Sequence, residues 1–162
     1  MYAQRKSSAG PRRTGYNRPV PTRLRMGLVM RRDMEFGELG DVEGALRAEG
    51  VGLAPISTGD ASLMAGGVTV LATATATDIV EGRLKGLVVP GGSQDETALA
   101  AVRSLIDLAR AQALPVIAFA DGVAVAAASF GVEAEGQAAL FKDGKAVLLD
   151  DRAALSAAVA AL

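Results

Sequence analysis

From Leu24 onward, two hydrophobic rhythms alternate along the chain. Apolar runs of strand length recur at LRMGLVM (24–30), VGLAPIS (51–57), GVTVLAT (67–73), LKGLVVP (84–90) and PVIAFA (115–120). Most are continuous rather than alternating, as strands buried on both faces of a parallel sheet should be. Pro55 pushes the second run toward a sheet edge, because proline offers no N–H to a neighbour.

Between these runs the spacing becomes helical. FGELGDVEGALRAEG (36–50) places Leu39, Val42, Ala45 and Leu46 on one face and stops at Gly50. SQDETALAAVRSLIDLARAQA (93–113) is the clearest helix, with Ala98, Val102, Leu105, Ile106 and Ala109 as its stripe. Asp95 and Glu96 at its start suit the positive end of the helix dipole. GVAVAAASFG (122–131) reads as a short helix, and AALFKDGKAVLLD (138–150) as a hairpin turning at Asp143-Gly144. DRAALSAAVAAL (151–162) closes the chain as a helix capped by Asp150 or Asp151. This alternation predicts an α/β fold of flavodoxin-like, doubly wound type. Its sheet is mainly parallel, with helices on both faces and a small β-hairpin near the C-terminus.

Composition agrees with one such domain and narrows its chemistry. The chain has 162 residues, half of them hydrophobic but only 4% aromatic, so the core must be built from Ala, Val, Leu and Ile. No apolar run approaches the roughly 20 residues that span a bilayer. There is no Cys and no His. That excludes thiol nucleophiles, disulfides, the usual zinc sites and any Ser-His or Cys-His dyad, and predicts neither cofactor nor metal. Lack of cysteine also fits a reducing compartment, so a cytoplasmic location is expected.

Charge divides the chain in two. Residues 1–32 carry nine Lys or Arg and no acid, whereas 33–162 carry a net charge of −10. The stretch 1–22, MYAQRKSSAGPRRTGYNRPVPT, is broken by Gly10, Pro11, Gly15, Pro19 and Pro21 and reads as a basic, disordered or extended tail ahead of a domain at 23–162. It lacks the apolar stretch of a secretory signal, and its Pro/Gly spacing forbids the amphipathic helix of a transit peptide.

Three loops hold the candidate chemistry. In VVPGGSQDE (88–96), Gly91 and Gly92 follow a buried strand and precede a helix. They suit either a tight turn needing positive φ or a loop offering backbone N–H groups to an anion. In AFADG (118–122), a strained elbow needs small residues on both sides of its apex. Ala120 as apex is flanked by Ala118 and Gly122, whereas Asp121 as apex would be crowded by Phe119 and Val123. Sterics therefore place a methyl group at the tip and leave Asp121 to cap the next helix. In RRDMEFGEL (31–39), Glu35 or Glu38 stands at the sheet's carboxyl edge, where such folds bind ligands, or is a solvated acid favoured by the helix dipole.

The order of these pieces resembles the ThiJ/PfpI (DJ-one-like) family of the class I glutamine amidotransferase-like superfamily. The likeness rests on LRMGLVM, Glu38, LRAEG, LKGLVVPGG, a long helix and PVIAFADGVAVAA, and covers about 24–131. It implies that Gly91 and Gly92 match the family's PGG turn and that Glu38 matches the acid contacting its nucleophilic cysteine. Ala120 then stands where that cysteine would be, Asp121 where His or Ala is common, and the family histidine has no counterpart. The resemblance implies a degenerate, non-catalytic member, dimeric as its relatives often are, acting as a binding or scaffold protein. The rival expectation is a hydrolase or glyoxalase-type enzyme using Glu38 and Asp121 as a carboxylate pair. For the tail, Arg5, Lys6, Arg12, Arg13, Arg18, Arg23 and Arg25 are the partner-binding candidates. An acidic protein or a second copy is the expected partner, with nucleic acid open because Tyr2 and Tyr16 lie among the basic residues.

Overall fold

A computed structural model describes residues 22–39, 41–65 and 67–162. The apolar runs become strands β1 (Leu24–Val29), β2 (Val51–Ile56), β5 (Leu87–Val89) and β6 (Val116–Phe119), all parallel. The C-terminal hairpin, β7 (Ala138–Lys142) and β8 (Lys145–Leu148), joins the same sheet, with β7 antiparallel to β6. Among the described residues the sheet therefore runs β2-β1-β5-β6-β7-β8. Asp143 and Gly144 both take positive φ at the hairpin's tip (54° and 74°), the combination that lets a two-residue turn follow the twist of its strands.

Helices cover both faces, and strand residues alternate between them. Leu87, Val89, Val116 and Ala118 point into one core with Ile79, Val102, Ile106 and Ala126. Those partners come from α2 (Ala76–Val80), α3 (Glu96–Ala111) and α4 (Gly122–Phe130). Met26, Val88, Ile117 and Phe119 point the other way, against α1 (Val42–Ala48) and α5 (Arg152–Ala160). With so few aromatics, close packing here depends on small and branched side chains meeting a twisted sheet.

Three elements differ from the sequence expectation. The run 36–50 is split into a 3-10 turn at Gly37–Leu39 and the shorter α1. Gly37 takes φ +73°, and Asp41 starts a new helix by accepting the Gly44 N–H at 2.9 Å. The expected third strand, β4 (Val68–Leu71), lies outside the main sheet, paired antiparallel with β3 (Ser62–Ala65), a strand the sequence pattern missed. This hairpin borders an apolar groove of about 330 Å³ that includes Leu28, Phe36, Leu53 and Val70, while Met64, Val68 and Leu71 remain more than 60% exposed. The Pro55 strand does lie at a sheet edge. Its outward carbonyl accepts N–H groups from Thr73 and Ala74 at 2.9 and 3.0 Å. The final helix is capped by Asp151, whose carboxylate accepts the Ala154 N–H at 2.8 Å. No helix among the described residues is long and apolar enough to cross a membrane.

Candidate functional site

The chain leaves β1 for β2 on one side and later returns to β5 on the other. Folds of this kind open a crevice at the carboxyl ends of the strands where the order reverses. Three loops meet there: 30–39 after β1, 90–95 after β5, and the elbow 120–122 after β6. They are stitched together. Glu35 and Gly91 exchange two backbone hydrogen bonds of 3.0 and 2.8 Å, and the Phe36 ring stands edge-on to Phe119, 5.3 Å between centroids.

Ala120 is the apex of the elbow, with φ +52°. That left-handed conformation is one a side chain adopts only where the surroundings impose it. Here α4 must start tight against the end of β5. A Cβ on Gly122 would lie 2.6 Å from the Val89 carbonyl oxygen, so this flank admits only glycine. On the other flank Ala118 is fully buried. The Ala120 N–H is fixed by the Gln137 carbonyl at 3.0 Å. The backbone thus presents its residue as a nucleophile elbow would, and the group presented is a methyl.

Asp121 does not cap α4 as expected. It occupies the position before the helix, but its side chain makes no capping bond. The carboxylate turns instead toward the loops after β1 and β5. Oδ1 accepts the Gly92 N–H at 2.9 Å and Arg31 Nη1 at 3.4 Å, and Oδ2 accepts Arg31 Nη2 at 3.4 Å and the Gln94 amide. Each oxygen therefore takes two donors, and an ionised carboxylate has about four lone-pair sites. A proton acceptor for catalysis needs one of those sites free.

Arg31 is the residue that sequence reasoning missed. It is the one polar or charged side chain buried among the described residues, at 2% exposure, beside an Asp121 that is 32% exposed. Its guanidinium also donates to the carbonyls of Pro90 at 2.9 Å and Ser93 at 2.8 Å. The signal available was its position, immediately beyond a buried strand, but nine basic residues share the first 32 positions and no periodicity separates this one.

For Gly91 and Gly92 the positive-φ reading is corrected, while the other reading, a backbone N–H offered to an anion, fits Gly92, whose N–H donates to the Asp121 carboxylate. Neither takes a positive φ; space is what demands glycine. A Cβ on Gly91 would lie 2.5 Å from Asp121 Oδ1, and one on Gly92 would lie 2.6 Å from Arg31 Cβ. Glu38 lies on the Gly37–Leu39 turn, next to the elbow: a Cβ on neighbouring Gly37 would sit 3.9 Å from that of Ala120. The Glu35 side chain is exposed. A cleft of about 180 Å³ with mixed polar and apolar walls opens alongside, between Arg32, Thr58, Asp60, Leu63, Ser93 and Thr97. Among the described residues no three Asp or Glu side chains gather as a metal site would require.

Of the basic partner-binding candidates, Arg5, Lys6, Arg12, Arg13 and Arg18 lie outside the described residues. Arg23 is engaged by its own chain, donating to the carbonyls of Leu162 and Val159 at 2.8 Å and of Glu49 at 3.2 Å. Arg25 is exposed on β1.

No family model matches this sequence, and no curated protein does. Solved structures do match in fold. A Bacteroides thetaiotaomicron protein described as "putative protease I" aligns with a TM-score of 0.63 at 10% identity, covering 86% of this chain and 99% of that one. A cysteine-to-alanine mutant of a DJ-1 superfamily protein from Salmonella typhimurium aligns at 0.52 and 16% identity, over 67% and 62% of the two chains. Drosophila melanogaster DJ-1beta aligns at 0.50 and 18%, over 72% and 63%. The chain spans under two thirds of the length of these DJ-1 structures. At such identities the shared property is the fold: a flavodoxin-like α/β sheet of the DJ-1/ThiJ/PfpI type.

Proposed function

We propose that this chain is a non-catalytic relative of the ThiJ/PfpI proteins that works by binding, as a scaffold for a macromolecular partner in the cytoplasm. The observation that carries the reading is the elbow itself. Its backbone holds the strained geometry of a nucleophile site, yet Ala120 offers a methyl group and the adjacent Asp121 has all its lone pairs engaged. The same saturation argues against Asp121 as half of a catalytic carboxylate pair with Glu38. Two further features support binding. One is the basic arm on an acidic body, which favours an acidic protein surface or a second copy over nucleic acid, since the body would repel a polyphosphate. The other is the exposed apolar side chains of the β3–β4 hairpin, Met64 and Leu71 on one face and Val68 on the other.

The test pairs two measurements. The unaltered protein should show no glyoxalase-type or peptidase turnover; turnover above background would overturn the proposal. Affinity capture with the full chain should retain an acidic partner that a 23–162 truncation loses, whereas identical captures would remove the arm from the function.

A further inference from the structure

We infer that the elbow is a carboxylate-binding cradle whose ligand is the chain's own Asp121, so that the site is closed from within to small carboxylic acids. The inference goes beyond the scaffold reading and stands whether or not the arm has a partner. Donors from two separate loops converge on this one group: both terminal nitrogens of Arg31, the Gly92 N–H and the Gln94 amide. A guanidinium fork placed parallel to a carboxylate, with a backbone N–H beside it, is how proteins recognise a free carboxylate.

The cradle is held independently of what fills it. Arg31 is anchored from behind by the Pro90 and Ser93 carbonyls, which aim its fork toward the elbow. The loop that supplies Gly92 is tied to the β1 loop, with Gly91 bonded to Glu35 and the Ser93 N–H to the Arg32 carbonyl at 2.9 Å. Gly91 and Gly92 clear the space, since a Cβ on either would strike the carboxylate or the arginine stem. Beyond its Cα, an aspartate is chemically an acetate; beyond its Cβ, a formate. Were the Asp121 side chain cut back, Arg31 would be a buried cation facing two carbonyls without a counter-charge. Such an uncompensated charge is strongly unfavourable. A carboxylate of the missing size would then enter from solution.

Thermal unfolding of Asp121→Ala and Asp121→Gly in sodium formate, acetate and chloride at equal ionic strength tests this. Asp121→Ala should melt roughly 10 °C below the unaltered protein in chloride. Formate should restore roughly 5 °C of that at a hundredfold excess over its Kd. Asp121→Gly should respond more to acetate, which matches its larger vacancy. The unaltered protein should not distinguish the three salts, and neither should Asp121→Ala combined with Arg31→Met. An equal response of Asp121→Ala to all three salts, or rescue that survives the loss of Arg31, overturns the inference. If Asp121→Ala does not fold in chloride, refolding yield is read instead. Recovery in formate alone then supports the cradle, and equal failure in every salt overturns it.

Discussion

Ala120 shows how much a single residue can disclose about its surroundings. Alanine in the left-handed region costs about 1–2 kcal/mol, a strain no local preference of its own would accept. The cost is imposed by β6 and α4 meeting against the end of β5. A β-branched side chain would suffer far more at φ +52°. Ala120→Val should therefore lower stability by about 1–3 kcal/mol in urea titration. That Ala120 rather than Asp121 belongs at the apex was legible from the sizes of Ala118 and Gly122 alone. What Asp121 does was not. Its nearness to a helix start suggested a cap, but Arg31, 90 positions earlier, outcompetes the helix for the carboxylate. Sequence spacing carries no record of a long-range ion pair.

At the scale of elements, strands β1, β5 and β6 and helix α3 were legible because burial on both faces, or on one stripe, leaves a strong period. Strand β4 was legible as well, but its partner β3 was not, since four residues beside a glycine turn carry too short a period to be read. Nothing in the run 67–73 told that it would pair outside the main sheet. Helix α3 ends in a well-formed stop: the N–H groups of Ala113 and Leu114 return to the carbonyls of Arg110 and Ala109 at 3.0 and 2.9 Å. This geometry puts Ala113 at φ +57°, where glycine is the usual occupant. Ala113→Gly should accordingly stabilise the protein by about 0.5–1 kcal/mol, the relief of strain exceeding the added freedom of the unfolded chain. Helix α2 has a different device. The Thr75 N–H and the Arg83 guanidinium both donate to Asp78, at 2.8 Å each, and hold its carboxyl below the usual aspartate range. A carboxyl lowered in the folded state adds stability above its unfolded value and loses it as pH falls through the folded one. Asp78→Asn should thus be less stable than the unaltered protein at pH 7, with the difference closing in acid below the ordinary aspartate range; midpoints measured from pH 7 to pH 2 check it.

For the molecule as a whole, one of the basic partner-binding candidates serves the domain itself. The charge pattern grouped Arg23 and Arg25, at the start of the domain, with the basic residues of the tail as partner-binding candidates. The Arg23 guanidinium instead ties the start of β1 to the carbonyls at the end of α5, where a cation also complements the helix dipole. Arg23→Ala should cost about 1 kcal/mol and raise hydrogen exchange in α5 more than in α3. A truncation beginning at Arg23 keeps this clasp, so loss of a partner on truncation would report on the arm and not on a loosened domain. The two edges of the sheet also differ in what they permit. An unpaired strand edge is a template on which a second chain can be laid down, the first step toward fibrous aggregation. At β2 the template is spoiled twice, by Pro55, which lacks the N–H a new strand would need, and by Thr73 and Ala74, which already hold its carbonyl. Among the described residues, β8 is therefore the edge that offers templated growth of this sheet the fewer obstacles.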